Sequence, residues 1–385
     1  AKASNEGRDN TPGVRVNPMS VDPDSQNRPQ RERLVVAMSG GVDSSVAAAL
    51  LAREGYEVIG VTMRLSGDAS RCCSLADADD ARRVADALGI RFFVANYARE
   101  FRKEVIEAFA DEYLAGRTPI PCVTCNSRFK FDHLMSRADV FGSRAVATGH
   151  YARIEHDEAS GRARLFRSRD RSKDQSYFLF ELTQEQLSRA RFPLGEMSKH
   201  EVRKLARELG LATADKPESQ EICFVPDGDY AAVVEAVRPE AKLLSGDIVD
   251  ADGTVLASHR GVHRFTVGQR HGLGIDHANR PLYVNRIDAQ TGRITVGDRE
   301  ELDAITGMVH RVNWIRGEPP TEALRARVQI RHRHEAALAT LHVEADDRVR
   351  LAFETPVRAL APGQAAVFYD AENNCEVLGG GWIGT

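Results

Sequence analysis

Ser39-Gly40-Gly41-Val42-Asp43-Ser44-Ser45 joins a short apolar run to a run rich in alanine and leucine. The apolar run, Leu34–Met38, predicts a buried strand, and the run Val46–Arg53 predicts a helix. A Gly-rich turn between a strand and a helix points backbone N–H groups at an anion, at the positive end of the helix dipole. Glycine leaves room for a phosphate to approach the main chain, and one of the serines is expected to cap the helix. The stretch therefore predicts a phosphate-binding site.

The spacing excludes two common phosphate-binding loops. It contains no Gly-Lys-Ser/Thr and no Gly-x-Gly-x-x-Gly after the strand. Asp43 is expected to orient the loop or to reach a phosphate-bound Mg²⁺. The pattern Ser-Gly-Gly-x-Asp-Ser resembles the loop of the ATP pyrophosphatases, which activate an oxygen by adenylation and release pyrophosphate.

Composition sets the general class of protein. At 385 residues the chain predicts two or three domains, and 42% apolar with 28% charged residues is typical of a globular protein. The net charge of −4 means that nucleic-acid binding would require local basic patches. We find no apolar run of the roughly 18 residues that a membrane span needs. Six cysteines without an export signal favour a reducing, cytoplasmic location.

Local signals mark the ends of several elements. Ser74 and Ser198 are expected to cap helices, Gly89 is expected to end one, and Asp252-Gly253 and Thr291-Gly292 are expected to form hairpin turns.

Alternating strand and helix patterns predict a parallel sheet in the first half of the chain. Its ligand site is expected at the carboxyl ends of the strands, where the 39–45 loop, Met63 and Gly149-His150 would emerge. The fold class is therefore α/β: a parallel-sheet adenine-nucleotide domain, a small β-rich central domain and a C-terminal antiparallel β-barrel. The predicted boundaries are a disordered tail over 1–30 and domains over 31–230, 231–303 and 304–385.

Cysteines mark a second kind of chemistry. Cys122-Val-Thr-Cys125 is predicted in a loop before the helix-like run Asn126–Met135, and Cys223 lies between predicted elements. A thiolate near a helix N-terminus or basic groups is nucleophilic at neutral pH, so the pattern suggests sulfur chemistry on an adenylated oxygen. Three thiolates would also suit a [4Fe–4S] cluster, with Cys122, Cys125 and Cys223 as ligands. Cys375 is expected to be a buried strand residue, and Cys72-Cys73 stay ambiguous.

Two local basic runs, Arg162–Lys173 and Arg325–His334, could hold RNA phosphates in a chain of negative net charge. The first has six cations in twelve positions: Arg162, Arg164, Arg167, Arg169, Arg171 and Lys173.

Seven motifs together resemble the tRNA-specific 2-thiouridylases, in the same order from about Arg33 to the C-terminus. They are Ser39–Ser45, Thr118–Asn126, Ala147–Tyr151, Lys173–Phe178, Ile222–Phe224, Val267–Arg270 with Gly272–Gly274, and Pro362–Tyr369. The resemblance implies a tRNA-uridine 2-sulfurtransferase. Such an enzyme adenylates the C2 oxygen of the wobble uridine in tRNAs for Lys, Glu and Gln, then replaces that oxygen with sulfur from a protein persulfide.

The resemblance also implies roles for individual residues. Cys125 would be the nucleophile and Cys223 the persulfide carrier, and the two would form a disulfide after sulfur transfer. ATP, with Mg²⁺, would be bound by Ala37, Met38, Ser39, Gly40, Gly41, Val42, Asp43, Ser44, Met63 and Gly149. The tRNA would be contacted by Ile120, Pro121, Cys122, His150, Lys173, Asp174, Gln175, Arg331, His332 and Gln364, with Ile120–Cys122 facing the target base. The implied partners are tRNA and a persulfide donor, either a cysteine desulfurase or a relay protein.

Cys122 departs from the family pattern, because many members carry an aspartate there that is thought to shuttle protons. The departure keeps the iron–sulfur route open beside the persulfide route. Two other functions also stay open: an amidating ligase, which would have no use for Cys125 or Cys223, and an RNA-binding module that senses ATP without turnover.

Overall fold

The computed structural model describes residues 31–65, 74–218, 222–225, 228–243, 245–275, 280–344 and 347–384. The predicted tail over 1–30 and the pair Cys72-Cys73 lie outside the described residues. Residues 32–385 group into one compact unit, so the domain boundaries at 230 and 303 stay predictions.

A five-stranded parallel sheet organises the first half of the chain, in the order β3-β2-β1-β4-β7. Successive residues of β1 point to opposite faces: Val35 packs into the apolar core on one face, and Leu34 and Val36 pack into the core on the other. Both faces are therefore covered, as a parallel sheet requires. The strands are β1 (Arg33–Ala37), β2 (Glu57–Arg64), β3 (Arg91–Asn96), β4 (Ala145–Ala147) and β7 (Ala190–Arg191).

Helices connect these strands: α1 (Val42–Arg53), α2 (Leu75–Leu88), α3 (Ala98–Phe101), α4 (Ala108–Leu114), α5 (Pro121–Thr124), α6 (Leu134–Val140), α7 (Gln184–Arg189), α8 (Lys199–Glu208) and α9 (Tyr230–Val237). A π-helix over Arg102–Glu107 joins α3 to α4, and another over Cys125–His133 joins α5 to α6. Ser74 and Ser198 cap α2 and α8 through capping boxes, and Gly89 ends α2 in the left-handed conformation. These three predicted helix signals are confirmed.

The C-terminal half contains the predicted β-barrel. Six antiparallel strands follow the order β12-β15-β14-β13-β16-β17, and β12 also pairs with β17, which closes the barrel. Their bounds are β12 (Asp303–Trp314), β13 (Leu324–Gln329), β14 (Ala337–Val343), β15 (Val349–Arg358), β16 (Ala365–Asp370) and β17 (Glu376–Ile383). An outlying hairpin, β5 (Ala152–His156) and β6 (Ala163–Arg167), adds to the start of β17. The hairpin follows β4 in sequence but extends the sheet of the barrel.

A four-stranded sheet lies between the two halves in sequence, in the order β10-β11-β8-β9. The predicted turns at Asp252-Gly253 and Thr291-Gly292 join antiparallel partners in it, which confirms both hairpins. The strands are β8 (Gly246–Val249), β9 (Val255–His259), β10 (Tyr283–Asp288) and β11 (Arg293–Gly297). Within the described ranges no helix is long and apolar enough to cross a membrane.

Candidate active site

A cavity of about 730 Å³ opens beside the 39–45 loop. Nine of the ten residues predicted to bind the nucleotide line it, the exception being Gly40. All three predicted functional cysteines line it too, together with four further residues that were predicted to contact tRNA: Pro121, His150, Lys173 and Gln175. Sequence positions from 37 to 224 therefore converge on a single cavity.

The first turn of α1 faces this cavity without a side-chain cap. Helix α1 begins at Val42, so the last four residues of the predicted loop are helical, and the N-cap is Gly41. The expectation that a serine caps the helix is wrong, because the hydroxyls of Ser44 and Ser45 donate instead to the Gly41 carbonyl, at 3.1 and 2.9 Å. The positive end of the α1 dipole is therefore left for an anionic ligand.

Two glycines shape the approach to this turn. Gly40 has φ of +72°, and a Cβ there would lie 2.1 Å from the Asp77 carbonyl oxygen, so only glycine fits. Gly149 follows β4 and lies against α1, where a Cβ would be 2.7 Å from the Ser44 nitrogen. A Cβ at Gly41 would meet only the Ser39 hydroxyl, at 3.6 Å. Gly40 and Gly149 thus permit close packing, whereas Gly41 leaves open space.

Asp43 is held by two groups from distant parts of the chain. Lys199 Nζ donates to Oδ1 and Oδ2 of Asp43 at 2.8 and 2.7 Å, and the Tyr151 hydroxyl donates to Oδ1 at 2.8 Å. Burial and the nearby Asp43 carboxylate raise the pKa of Tyr151, so this hydroxyl keeps its proton. The loop-orienting role predicted for Asp43 therefore has a structural basis.

Cations surround the same region. Lys216 Nζ donates to the Gly40 carbonyl at 3.0 Å and forms ion pairs with Asp77 at 2.7 Å and Asp80 at 2.5 Å. Burial by itself raises the pKa of Asp77, but hydrogen bonds from Lys216 and Ser74 outweigh it, and the pKa falls below its usual value. Asp77 and Lys216 both line the cavity, so the charges around the phosphate position are fixed in place.

The CxxC pair lies in a helix, which corrects the prediction of a loop. Cys122 belongs to α5 and Cys125 begins the π-helix that continues it. Cys125 and Cys223 are half-buried and pack against the apolar core that covers one face of the parallel sheet. Within the described part of the chain no three His, Cys, Asp or Glu side chains form a metal-binding group. The predicted three-cysteine ligand set is therefore not assembled.

His150 is buried, with 6% of its surface exposed. Its Nδ1 lies 2.7 Å from the Thr148 hydroxyl, and its Nε2 lies 3.4 Å from Lys130 Nζ. Burial, and then the charge of Lys130, lower the pKa of His150 well below its usual value. The imidazole is uncharged at neutral pH, so it can contact a group inside the cavity but supplies no cation to a phosphate.

The other residues predicted to contact tRNA fall into two groups. Lys173 pairs with Glu218 at 2.7 Å, and the side-chain oxygen of Gln175 accepts from the Tyr151 amide at 3.0 Å, both at the cavity. Asp174 is buried and paired with Arg167 at 2.7 Å. Three lie in or beside the barrel, outside the cavity lining: Arg331 and His332 follow β13, and Gln364 precedes β16. Ile120, at the N-cap of α5, is outside the lining as well. Gln364 donates to the Thr118 carbonyl at 3.0 Å.

The basic run Arg162–Lys173, predicted as a site for RNA phosphates, mostly contacts groups of the protein itself. Arg164 pairs with Glu376 at 2.5 Å, Arg169 pairs with Glu201, and the buried Arg167 pairs with Asp174. In the second run Arg325 pairs with Glu354 at 2.7 Å, and Arg331 donates to the Arg358 carbonyl at 2.8 Å. Of these contacts, the Arg164–Glu376 pair joins the hairpin to the barrel, and the Arg169–Glu201 pair joins the segment after the hairpin to α8.

Cys375 also departs from its prediction. It precedes β17 rather than lying in a strand, is half-buried, and accepts a hydrogen bond from Arg153 at 3.1 Å.

Sequence reasoning missed Lys130, Lys199, Lys216 and Glu218 as lining residues. Lys199 follows the capping serine of α8, but no sequence spacing relates it to Asp43, 156 positions earlier. Only the fold reveals these groups.

A parallel sheet whose strand–loop–helix turn faces cysteines in one cavity defines an α/β class of nucleotide-binding enzymes. Residues 32–227 match the tRNA methyl transferase HUP domain, residues 234–298 its PRC-barrel domain, and residues 305–383 the aminomethyltransferase β-barrel domain. The chain is 51% identical over 369 residues to the tRNA-specific 2-thiouridylase MnmA of Solibacter usitatus, covering 91% of this chain and 98% of that protein. It is 52% identical over 364 residues to that of Geobacter metallireducens, covering 92% and 97%. The chain belongs to the tRNA-specific 2-thiouridylase family.

Proposed function

We propose that this protein uses ATP to replace the C2 oxygen of the wobble uridine of tRNA with sulfur, releasing AMP and pyrophosphate. The proposed substrates are the tRNAs for Lys, Glu and Gln. The observation that carries the proposal is the shared cavity, because it places Cys125 and Cys223 beside the first turn of α1. A ligase that used ammonia would need the turn of α1 but not the cysteines.

The residues around α1 are suited to the adenylation step. The amides at its start receive phosphate oxygens, and the open space at Gly41 allows the close approach. Lys199 and Lys216 are held by carboxylates at the same wall of the cavity, and they place positive charge where pyrophosphate would leave. Mg²⁺ would arrive with the phosphates, and the lining carboxylates Asp43 and Asp77 are the oxygen ligands that it prefers.

The cysteines are suited to the sulfur step. A donor, a cysteine desulfurase or a relay protein, would leave a persulfide on Cys223. The terminal sulfur of that persulfide attacks C2, and the bond from C2 to the adenylated oxygen breaks, so that AMP leaves. The Cys125 thiolate then attacks Cys223 Sγ, breaking the persulfide S–S bond and leaving the terminal sulfur on C2. The product is a thiocarbonyl and a Cys125–Cys223 disulfide, which an external reductant must open before the next cycle.

The iron–sulfur alternative fits the donor set less well. A [4Fe–4S] cluster needs its thiolates grouped around one centre, and the described residues contain no such group. The persulfide route needs only two cysteines in one cavity, and Cys125 and Cys223 line the same one.

Pyrophosphate exchange tests the proposal. We expect tRNA-dependent exchange of labelled pyrophosphate into ATP by the wild type, and by Cys125→Ser and Cys223→Ser, since adenylation precedes sulfur transfer. Both variants should make no 2-thiouridine. Cys375→Ser, which changes the cysteine just before β17, is the matched control and should keep both activities. ATP binding with neither exchange nor AMP release would instead identify a binding module without turnover and would refute the proposal.

A further inference from the structure

A second cavity, which we call the outer cavity, lies on the other side of the segment that precedes Cys122. Its volume is about 660 Å³. Val105 and Pro121 line both cavities, whereas Ile120 lines only the outer one. The segment expected to face the target base is therefore a wall between two spaces rather than the floor of one. The far side of the outer cavity is formed by β12 and β17 of the barrel, through Arg311 and Trp382.

Trp382 presents a fixed aromatic ring to the outer cavity. Its indole Nε1 donates to Glu181 Oε1 at 2.8 Å, and its ring packs edge-on against Phe180, with centroids 5.8 Å apart. Both contacts hold the indole in a single orientation. An indole face held in this way is a stacking surface for a planar group.

The backbone of β12 directs the Arg311 side chain to the outer cavity. The β12–β17 pairing shifts register between His310 and Asn313, and Arg311 has φ of +50° within that bulge. A bulge of this kind redirects a side chain away from the regular strand alternation. The Arg311 guanidinium lies over the Trp382 ring, 5.4 Å from its centroid, so it shares the indole face that a planar group would use. Arg311 is exposed, and no described carboxylate forms an ion pair with it.

The other charged groups of the outer cavity are two ion pairs and Glu181, whose carboxylate accepts from the Trp382 indole and from the Ser127 hydroxyl. Arg117 pairs with Glu112 at 2.6 Å, and Arg128 lies 3.8 Å from Glu104. An aromatic ring, one arginine without a carboxylate and paired hydrogen-bonding groups are suited to an unstacked nucleotide, with its base on the indole and its phosphate at the guanidinium. A protein partner of strong charge would find no complementary field here.

We infer that the outer cavity binds a nucleotide adjacent to the target uridine. The inference rests on the proposed function, because a base that enters the cysteine cavity past Pro121 leaves its neighbour against the other side of the same wall. Trp382 and Arg311 would then position the RNA strand across the wall and hold the uridine in place.

Abasic RNA tests the inference. Three anticodon stem-loop RNAs are compared: one intact, and one each with the base removed 5′ or 3′ of the target uridine. With the wild type, loss of one of the two bases should lower kcat/KM for thiolation by about tenfold, the usual effect of one stacked base. Trp382→Leu should lose about the same factor on intact RNA and nothing further on that abasic RNA. Trp382→Phe should recover most of the loss, and Arg311→Gln should lower kcat/KM on all three RNAs.

The matched control is Trp314→Leu, which changes the other tryptophan, at the end of β12 and outside the lining of the outer cavity. It should keep the full sensitivity to the abasic RNA, even if the barrel is less stable. Equal wild-type rates on all three RNAs, or a Trp382→Leu variant that remains sensitive, would overturn the inference and leave the proposed function standing. A defect of Trp382→Leu seen with a protein persulfide donor but not with inorganic sulfide would also overturn it. Absence of thiolation of intact RNA by the wild type would refute the proposed function itself.

Discussion

Lys199, in the first turn of α8, contacts both carboxylate oxygens of Asp43, in the first turn of α1, at 2.8 and 2.7 Å. Only 11% of the Lys199 side chain is exposed, and its ammonium group also pairs with Glu218 at 3.2 Å. Two helix starts are thereby joined beside the phosphate position, and Asp43 cannot be changed without affecting Lys199.

Substitutions of Asp43 and Lys199 should therefore have coupled, non-additive effects on stability. We expect Asp43→Asn and Lys199→Met each to weaken ATP binding and to lower the free energy of unfolding. The double variant should lose about 1–3 kcal/mol less stability than the sum of the two, because neither charge is then left without its partner. Urea unfolding of the four proteins measures this coupling. Simple additivity would mean that the contact contributes nothing.

A side chain added at Gly41 should prevent ATP binding but not folding, whereas one added at Gly40 should prevent stable folding. Gly41→Val should fold with a melting temperature close to that of the wild type, because its Cβ meets only the Ser39 hydroxyl at 3.6 Å. It should lose ATP binding, since the branched side chain occupies the space before α1. Gly40→Val should fail to fold stably, because its Cβ would lie 2.1 Å from the Asp77 carbonyl oxygen. Calorimetric ATP titration and thermal melting measure both effects; ATP binding by Gly41→Val at wild-type strength would remove the loop from the mechanism.

Substitution of Cys122 distinguishes the persulfide route from the iron–sulfur cluster route. In the persulfide route it is not chemically required, so Cys122→Ser should keep most thiolation activity, whereas Cys125→Ser and Cys223→Ser should abolish it. In the cluster route all three variants should lose activity and bound iron together, because serine is a poor ligand for iron. Anaerobic thiolation assays with iron analysis compare them. A Cys122→Ser variant as inactive as the others, with its iron lost, would refute the persulfide route.

His150 should make stability sensitive to mild acid. Its pKa is lowered in the fold, so below the usual histidine value of about 6.5 the unfolded chain takes up a proton that the folded chain resists. Stability that is present above that value should be lost as the pH falls, by about 1 kcal/mol at pH 5.5. His150→Asn should lose less between pH 7.5 and 5.5 than the wild type, as measured by urea unfolding. Equal losses would mean that His150 titrates normally.

Substitution of Arg167 should lower the free energy of unfolding, independently of any contact with RNA. Its partner Asp174 is only 4% exposed, and its guanidinium also lies 3.5 Å from the centre of the Tyr369 ring. Arg167→Met leaves the carboxylate buried without its cation and should cost about 3–5 kcal/mol. Arg169→Gln, at an exposed pair with Glu201, should cost less than about 1 kcal/mol. Salt titration of tRNA binding by Arg169→Gln then tests phosphate contact without unfolding the hairpin.

Local sequence patterns predicted the parallel sheet, the capped helices, the central hairpins and the barrel, because these depend on periodicity and turn residues. The strand order also predicted that the 39–45 loop, Met63 and Gly149-His150 meet at one edge of the sheet, where residues from each of them line the cavity. The other predicted lining residues came from the resemblance to the 2-thiouridylases. The helix starts were less predictable: α1 begins at Val42, directly after two glycines, and α5 begins at Pro121 within a segment predicted as a loop, although proline suits the first position of a helix.

The features that the sequence did not predict depend on contacts between residues far apart in the chain. No local pattern shows that Arg164 meets Glu376, 212 positions later, so the basic run looked like an open surface in the sequence. The same holds for Lys199 and Asp43, and for the register shift that directs Arg311 toward Trp382. Charged side chains follow no period, and their partners are set by packing of the strands and helices that carry them.

The pairing of β6 with β17 has a consequence for synthesis of the chain. At about 5–20 residues per second, a ribosome needs on the order of ten to forty seconds to pass from Arg164 to Glu376, 212 positions away. During that interval the edge of β6 lacks its neighbour, and the segment before Cys122 lacks the bond from the Thr118 amide to the Pro362 carbonyl. A nascent chain therefore carries its nucleotide loop long before its cysteine helix is anchored, and it completes the site only as the final strand emerges.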